Sequence, residues 1–399
     1  MEKVTLSSIK IPNAMKIINS LISMSLLGSL SLSAQTDKDS YLSIKKEIAV
    51  AIDKGNAYLK SKQAADGHWD EEKFPAITAL AATAALRAPS YEKSPHIDKS
   101  LSYLLKLQKE DGGIYNAGHG VYNTATSIVA FVATGEKSYH PAILKGRAYL
   151  INQQTDLGEK AITDESSDGG IGYGGNPPRS DMSNTHLALE ALRLSRAIAQ
   201  DDANGKQPEL NWDAAITFIS RVQNLKATND QPNVSNDGSF NYAPAETKAT
   251  ELNINPDGSK TMRGYGSMSY AGLLSMIYAE LDNKDPRVVA VKKWLGENYT
   301  VKENPGLATK ADPELGQQGV YYYLHAMAKA LAAANIDTLP LKNGQEADWR
   351  KDIARELLTK QKGDGSWVND NGRWMENNSV LVTTYAVLTL EQIYHSIPE

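Results

Sequence analysis

A short pattern built around a glutamine recurs along the chain and constrains its fold more than any other feature. The first copy is KGNAYLKSKQAADGHW, residues 54–69. An apolar or aromatic pair precedes the glutamine, and an Asp-Gly with an aromatic or apolar residue follows it. Five copies keep the glutamine, and a degenerate copy has Tyr299 after Trp294-Leu295. The five are Gln63, Gln108, Gln154, Gln223 and Gln361. Recurrence of this kind predicts a repeat architecture.

Each copy lies between two predicted helices. Before the motif, apolar residues share one helical face, as Ile97, Leu101 and Leu104 do in the second copy. After it comes a segment rich in Ala and Leu with few charges, such as TALAATAALRA or LHAMAKALAAA, which predicts a helix packed on both sides. Helix pairs at a spacing of roughly 45 residues predict a solenoid or a closed ring. Six pairs predict an all-α (α/α)6 toroid, with the motif helices outside and the Ala/Leu-rich helices as an inner barrel.

The residues of the motif have physical roles in such a ring. Glycine adopts the positive φ that other residues resist, and aspartate supports a turn through its side chain. The glutamine stands in the last turn of the outer helix. We expect its amide to hydrogen-bond free carbonyls at that helix end or the backbone of the adjacent repeat. The motif would then hold one helix pair to the next.

Composition limits the partners and cofactors of the chain. The net charge is −5 and no basic block is present, which argues against nucleic acid or an anionic membrane as the partner. The chain has no cysteine, so thiolate catalysis and cysteine-ligated metals are excluded. We expect neither a metal nor another cofactor.

The N-terminal residues have the layout of a secretory signal peptide. From Met15 a lysine is followed by an apolar run, residues 17–32, and by small residues that end at Ala34. The run is shorter than the roughly 20 residues that span a membrane. We therefore predict a signal peptide at residues 1–34, with Met15 as an alternative start, and one toroid domain at residues 35–399 without a transmembrane anchor. The protein would be exported to the periplasm or outside the cell. A buried or anchoring N-terminal helix is the alternative.

The first copy of the motif resembles the glutamine–tryptophan motif of squalene–hopene cyclases and oxidosqualene cyclases. Weaker forms of such repeats occur in protein prenyltransferase β subunits. The resemblance extends from Tyr41 to about Ile393, nearly all of the expected mature chain. It implies an α/α toroid whose central cavity binds, and in an enzyme transforms, an isoprenoid or another small hydrophobic ligand.

The chain departs from these families where they carry their chemistry. The acid of the cyclases lies in an Asp-x-Asp-Asp-Thr segment, and the nearest segment here is DMSNT, residues 181–185. The proton-donating position is then Ser183, whose hydroxyl is too weak an acid to protonate an alkene. The zinc site of the prenyltransferases needs a cysteine, as does the thioester form of the toroid. Cyclisation by the family mechanism is therefore not expected.

Candidate site residues lie where the inner helices begin, the end of the barrel that we call the mouth. Aligned first turns give a column of hydroxyls, which is typical of helix capping or first-turn support. With one exception, Leu324, this column is Thr78, Thr126, Thr185, Ser269 and Thr384. The next column holds Ala79, Ser127, His186, Tyr270, His325 and Tyr385.

Asp181 and His186 are the candidates for acid–base catalysis. The alternatives are a helix N-terminal acid and a structural histidine. Predicted ligand-binding residues are Tyr122, Asn123, Asn184, Tyr265, Tyr270, Tyr322, His325 and Tyr385.

Two other classes of function stay open. Toroids of six helix pairs also host glycosidases, which need two carboxylates, and here Asp181 would pair with Glu376 or Asp312. They host polysaccharide lyases too, and a lyase would use Asn184, His186, Arg263 and Tyr265. The third class is a non-enzymatic scaffold that binds partners through its outer ring.

Two insertions interrupt the predicted ring at residues 155–180 and 224–262. Both are polar and rich in Gly, Pro and Asn, which predicts loops. Since both lead into inner helices, we expect them at the mouth, either as a lid or as solvated surface.

Overall fold

The computed structural model describes residues 27–397 except 71–73, 175–177, 203–204, 206, 233, 251 and 255–256. Over residues 27–40 it describes the backbone alone. The predicted signal peptide lies outside the described residues up to residue 26, and the backbone of residues 27–34 belongs to the first helix. The predicted mature start near Gln35 falls inside that helix.

The described residues form thirteen α-helices and four two-residue strands. The helices are α1 (Leu27–Lys62), α2 (Pro75–Arg87), α3 (Pro95–Lys106), α4 (Gly120–Thr134), α5 (His140–Asn152), α6 (Met182–Leu194), α7 (Arg196–Gln200), α8 (Trp212–Val222), α9 (Gly266–Tyr278), α10 (Pro286–Glu297), α11 (Val320–Ala333), α12 (Trp349–Lys360) and α13 (Ser379–Ser396). Two antiparallel hairpins pair β1 (Asn253–Ile254) with β2 (Lys260–Thr261) and β3 (Leu339–Pro340) with β4 (Glu346–Ala347). No helix among these combines the length and hydropathy needed to cross a membrane.

Six of the helices close an inner ring. The packing order is α2, α4, α6, α9, α11 and α13, and α13 packs back against α2. Helices α1, α3, α5, α8, α10 and α12 pack on the outside of this ring. The predicted all-α (α/α)6 toroid is therefore confirmed. The inner helices are largely buried because their many alanines let neighbouring backbones approach closely.

All five motif glutamines make the same two hydrogen bonds. The side-chain amide of Gln63 donates to the carbonyl of Gly67 in its own turn and to the carbonyl of His96 near the start of α3, each at 2.9 Å. Gln108, Gln154, Gln223 and Gln361 repeat this arrangement, each with a glycine of its own turn and with a carbonyl in or next to the following outer helix. The bonding predicted for the motif is confirmed.

The sixth junction between outer helices uses a tyrosine. Tyr299 stands at the glutamine position of the degenerate copy, after α10. Its hydroxyl donates a 2.8 Å hydrogen bond to Asp352 in α12. A side-chain pair thus replaces the amide-to-backbone bonds of the other five junctions.

The glycine of the Asp-Gly turn lets two backbones touch. Gly365 has a φ of 89°, and a Cβ at that position would lie 2.4 Å from the carbonyl oxygen of Lys54 in α1. Gly67, Gly112, Gly169 and Gly238 likewise combine a positive φ with a close carbonyl of the next outer helix. Each turn therefore requires glycine for its backbone conformation and for the close contact.

The hydroxyl column supports the motif loops. Thr78 accepts a hydrogen bond from the backbone N–H of Trp69, and Thr185 and Ser269 do the same for the corresponding loop residues. Thr126 and Thr384 of the predicted column do not support a loop and instead donate to carbonyls of their own helices. In α4 and α13 the supporting hydroxyls belong to Thr124 and Thr383. Aligning the sequences on the first Ala/Leu turn selected residues one or two positions after the supporting ones, because the number of residues between the helix start and that turn differs among the inner helices.

Candidate functional site

The axis of the ring contains a cavity of about 40 Å³. A water molecule needs about 10–15 Å³ of such space, so the cavity accommodates roughly three. Five inner helices contribute its lining. The lining residues are Leu80, Thr83, Arg87, Tyr122, Ala125, Thr126, Val129, His186, Leu187, Glu190, Tyr322, His325, Ala326, Lys329, Tyr385 and Leu388.

A buried ion pair crosses the cavity between α6 and α11. Lys329 Nζ lies 2.6 Å from Glu190 Oε2, and the two side chains are 9% and 5% exposed. Burial opposes ionisation of Glu190, but the charge and hydrogen bond of Lys329 hold the pKa of this carboxyl below its usual value. Because desolvating two charges offsets much of their attraction, such a pair is weak evidence of a stabilising role. Its place on the axis makes it a candidate for ligand binding.

Two histidines stand one helical turn before the ion pair on the same two helices. Burial and the nearby Lys329 lower the pKa of His186 to about 3. Burial, Lys329 and Arg87 also lower the pKa of His325 well below its usual range, so both imidazoles are neutral at neutral pH. A neutral imidazole can donate one hydrogen bond and accept another, but with its pKa lowered in this way it is a weak base, so these histidines are better suited to binding a ligand hydroxyl than to removing its proton.

Neither imidazole forms a hydrogen bond with another described residue. The rings of His186 and His325 instead stack on Tyr278 and Tyr385, with centroids 6.3 and 5.9 Å apart. The Nδ1 atoms of both histidines are buried and unpaired within the described ranges. Since buried polar atoms in folded proteins are nearly always paired, these nitrogens indicate that water or a polar ligand completes the site.

Three tyrosines of the cavity lining form a cluster. The hydroxyls of Tyr122 and Tyr385 are 3.1 Å apart, and the ring of Tyr322 meets that of Tyr385 edge-on at 5.8 Å. Burial raises the pKa of all three, so their hydroxyls stay protonated at neutral pH. We call Tyr122, Tyr322 and Tyr385 the tyrosine collar.

Two buried carboxylates cap inner helices at the mouth. Asp181 is the N-cap of α6 and accepts bonds from the backbone and side-chain nitrogens of Asn184, at 2.9 and 2.8 Å. Glu376 accepts from two backbone N–H groups at the start of α11 and from Asn369. Burial raises the pKa of Asp181 to about 6 and that of Glu376 to about 7. Neither side chain lines the cavity, so both serve first as helix caps.

The two insertions meet over the start of α6. Arg179 of the first insertion lies 2.5 Å from Glu246 of the second. The carbonyl of Tyr242 accepts a 2.8 Å hydrogen bond from the N–H of Met182 at the first position of α6. Arg221 of α8 anchors both, through carbonyls at residues 163 and 165 and through the carboxylate of residue 230. The insertions thus cover part of the mouth, where the sequence predicts them.

Comparison with known proteins supports the fold but assigns no family. No family model and no curated protein matches the chain. The type II terpene cyclase MstE from Scytonema is a similar solved structure, at 14% identity and a TM-score of 0.52 over 88% of this chain and 99% of that one. Variants of MstE have been solved with geranylgeranyl dihydroxybenzoate as substrate and with merosterolic acid A as product.

A second similar structure belongs to another class of enzyme. It is a glycoside hydrolase family 76 mannosidase from Bacteroides thetaiotaomicron, at 13% identity and a TM-score of 0.53 over 86% of this chain and 98% of that one. At such identities the likeness concerns the fold alone. It supports the toroid expected from the sequence resemblance, and it does not single out squalene–hopene cyclases.

Five of the predicted site residues gather around the cavity: His186, His325 and the tyrosine collar. The remaining predicted residues lie outside its lining. Asn184 bonds Asp181, and Asn123 joins two inner helices by accepting from the N–H of Ala76 at 3.0 Å. Tyr265 and Tyr270 are buried elsewhere around α9. The proposed glycosidase partner Asp312 is exposed.

The charged residues of the cavity, Arg87, Glu190 and Lys329, are not among the site residues predicted from the sequence. A signal was available, because His186 and Glu190, like His325 and Lys329, are four residues apart and so share a helical face. A charged residue one turn after a histidine, in an otherwise Ala/Leu-rich inner helix, marks such a position in α6 and α11.

Proposed function

We propose that the chain binds a hydroxylated ligand of the carbohydrate class in its axial cavity. The observation that carries this proposal is the buried Glu190–Lys329 pair beside the unpaired imidazoles of His186 and His325. Sugar hydroxyls donate and accept hydrogen bonds, and so they can satisfy all four groups. A hydrocarbon chain offers none of these bonds, and covering polar groups without replacing their bonds is costly.

The tyrosine collar fits this proposal and also limits it. Tyrosine presents an aromatic face together with a polar hydroxyl, which suits the mixed surface of a sugar ring. The cavity holds only about three water molecules, however, so a hexose fits only when side chains around the cavity move apart. The mannosidase that shares the fold supports a carbohydrate ligand only by analogy.

A prenylated ligand with a polar head is the second candidate. The aromatic faces of the collar favour it, because such faces stabilise developing positive charge during isoprenoid chemistry. The polar head would lie against Glu190 and Lys329, with the prenyl chain towards the mouth. The complexes of MstE, which has the same fold, support this candidate by analogy.

Calorimetric titration of the full chain separates the two candidates. The ligands are a panel of neutral mono- and oligosaccharides on one side and geranylgeranyl dihydroxybenzoate on the other. We expect saccharide binding that is lost in the double variant Glu190→Gln with Lys329→Met, which keeps side-chain volume but removes both charges. The matched control is Glu356→Gln, which alters a buried ion-paired carboxylate of outer helix α12. Binding of the prenylated compound alone would overturn the proposal in favour of the second candidate.

We further propose that the protein is exported, on the strength of the signal-like layout of residues 1–34. Expression of the full chain and of a chain started at Met15, followed by cell fractionation and N-terminal sequencing, tests this proposal. Export with a mature N-terminus near Gln35 is expected. Retention of intact residues 15–34 in the cytoplasm would contradict it.

A further inference from the structure

The charges that line the axial cavity do not balance. Glu190 supplies one carboxylate, whereas Lys329 and Arg87 supply two cations. The two imidazoles are neutral. Glu391, a buried acid near Arg87, does not line the cavity, and burial raises the pKa of its carboxyl although Arg87 opposes that shift. Of the two cations in the lining, one is therefore without an ion-pair partner among the described residues.

Arg87 is the cation that has no ionic partner. Within the described part of the chain its guanidinium forms no salt bridge, and it donates one side-chain hydrogen bond, to Gln392 Oε1 at 3.1 Å. It occupies the last turn of α2, and Leu80 and Thr83 on the same helix also line the cavity. The planar guanidinium, with its five donors, matches the two oxygens of a carboxylate.

We propose that the ligand of the axial cavity carries one carboxylate, which Arg87 binds. The inference rests on the proposed carbohydrate function and narrows it to acidic sugars of the hexuronate type. The Glu190–Lys329 pair and the imidazoles then bind hydroxyl groups, while Arg87 binds the acid. A bound carboxylate would give the guanidinium of Arg87 the ion-pair partner that the described residues do not supply.

The test is calorimetric titration of the full chain at low salt with D-glucuronate, D-glucose and D-glycerate. Glucuronate and glucose differ in charge at one carbon, and glycerate is a smaller hydroxy acid that tests the charge without the sugar ring. We expect glucuronate to bind about tenfold more tightly than glucose, the usual scale for a hydrogen bond to a charged group. Arg87→Met should abolish this preference, so that glucuronate binds no more tightly than glucose to the variant, while Arg87→Lys should keep part of it.

Arg193→Met is the matched control. Arg193 also stands in the last turn of an inner helix, but it pairs with Glu280 at 2.6 Å and does not line the cavity. This variant should retain the full preference, and thermal melts of all variants check folding.

Each outcome separates the inference from the proposed function. Equal binding of glucose and glucuronate, or a preference that survives Arg87→Met, overturns the acidic class and leaves the carbohydrate proposal standing. Arg87-dependent binding of glycerate without either sugar supports the anion site and overturns the carbohydrate class. If none of the three ligands binds, both proposals fall.

Discussion

The side-chain amide of Gln361 donates a 2.9 Å hydrogen bond to the carbonyl oxygen of Ala51, a residue 310 positions earlier in the chain. The other four motif glutamines join consecutive outer helices. This fifth one joins α12, the last outer helix, to α1, the first. The last and first outer helices are therefore joined by the same kind of hydrogen bond that joins consecutive outer helices, and this bond closes the ring.

Replacing Gln361 by alanine should destabilise the protein by about 2 kcal/mol. The variant leaves two backbone carbonyls without their side-chain donor, and partly buried groups of this kind cost about 1–3 kcal/mol when unpaired. Urea unfolding followed by circular dichroism measures the change. Gln200→Ala, at an exposed helix end, is the control and should stay within about 0.5 kcal/mol of the parent. Equal effects of the two changes would contradict the role assigned to the motif.

Gly365→Ala should cost considerably more stability than Gly344→Ala. Both glycines have a positive φ, 89° and 82°, so both substitutions carry the backbone strain of about 1–2 kcal/mol. Only at Gly365 does the new Cβ meet a backbone carbonyl, whereas nothing lies within 4 Å at Gly344. Comparison of the two unfolding free energies isolates the contact between turn and neighbouring helix. A similar loss at both sites would show that the close contact is unimportant.

Glu190→Gln alone should destabilise the fold by about 3 kcal/mol, because it leaves the ammonium group of Lys329 buried without a counterion. Adding Lys329→Met should restore most of that loss, since the double variant buries no charge. Chemical denaturation of the two single variants and the double variant gives the coupling energy. Additive losses in the double variant would mean that the two side chains do not act as a pair.

Asp181→Asn should gain stability relative to the parent as the pH rises from 4 to 7. Burial raises the folded pKa of Asp181 to about 6, above its ordinary value of 3.8. Between these values the folded protein holds a proton that the unfolded chain releases, so this group's contribution falls with rising pH. Asparagine retains the N-cap and removes the titration. Denaturation at pH 4, 5, 6 and 7 gives the slope.

Asp285→Asn is the control with the opposite sign. Asp285 also caps a helix, α10, but its hydrogen bond to Arg287 holds the pKa of this carboxyl below its ordinary value. The contribution of Asp285 to stability is fully present above the pKa that it has in the unfolded chain. It is lost as the pH falls through the lower pKa that it has in the folded protein. The variant should thus lose stability at pH 7 and lose little at low pH. The same sign of slope for both variants would refute the assignment of the two caps.

The ring was predictable because its signals are local. Gln63 and Gly67 stand in one turn, and a repeated turn between helices of opposite character leaves few alternatives to a closed set of pairs. The insertions were predictable for the same reason, since their Gly, Pro and Asn content is visible residue by residue. The register of Thr124 and Thr383 was not predictable, because where each inner helix begins depends on tertiary contacts at its first turn.

The cavity was only partly predictable. His186 and the tyrosine collar were predicted from positions at or near the aligned first turns of the inner helices. Asp181 was predicted as either an acid–base residue or a helix N-terminal acid, and in the structure it is the N-cap of α6 and does not line the cavity. The pairing of Glu190 with Lys329 depends on two helices that are not neighbours in the ring. No periodicity within one helix encodes which residues face each other across the axis. Arg87 stands out only in the structure, where it lines the cavity and forms no salt bridge with another described residue.

The bond between Gln361 and Ala51 also bears on how the molecule comes apart. In a linear array of repeats each unit touches its neighbours alone, and the end units fray first. In this ring every helix pair has two neighbours, so loss of order in any one pair breaks two interfaces at once. Amide hydrogen exchange should then report similar opening free energies around the circumference, the behaviour of a single cooperative unit rather than of a graded series.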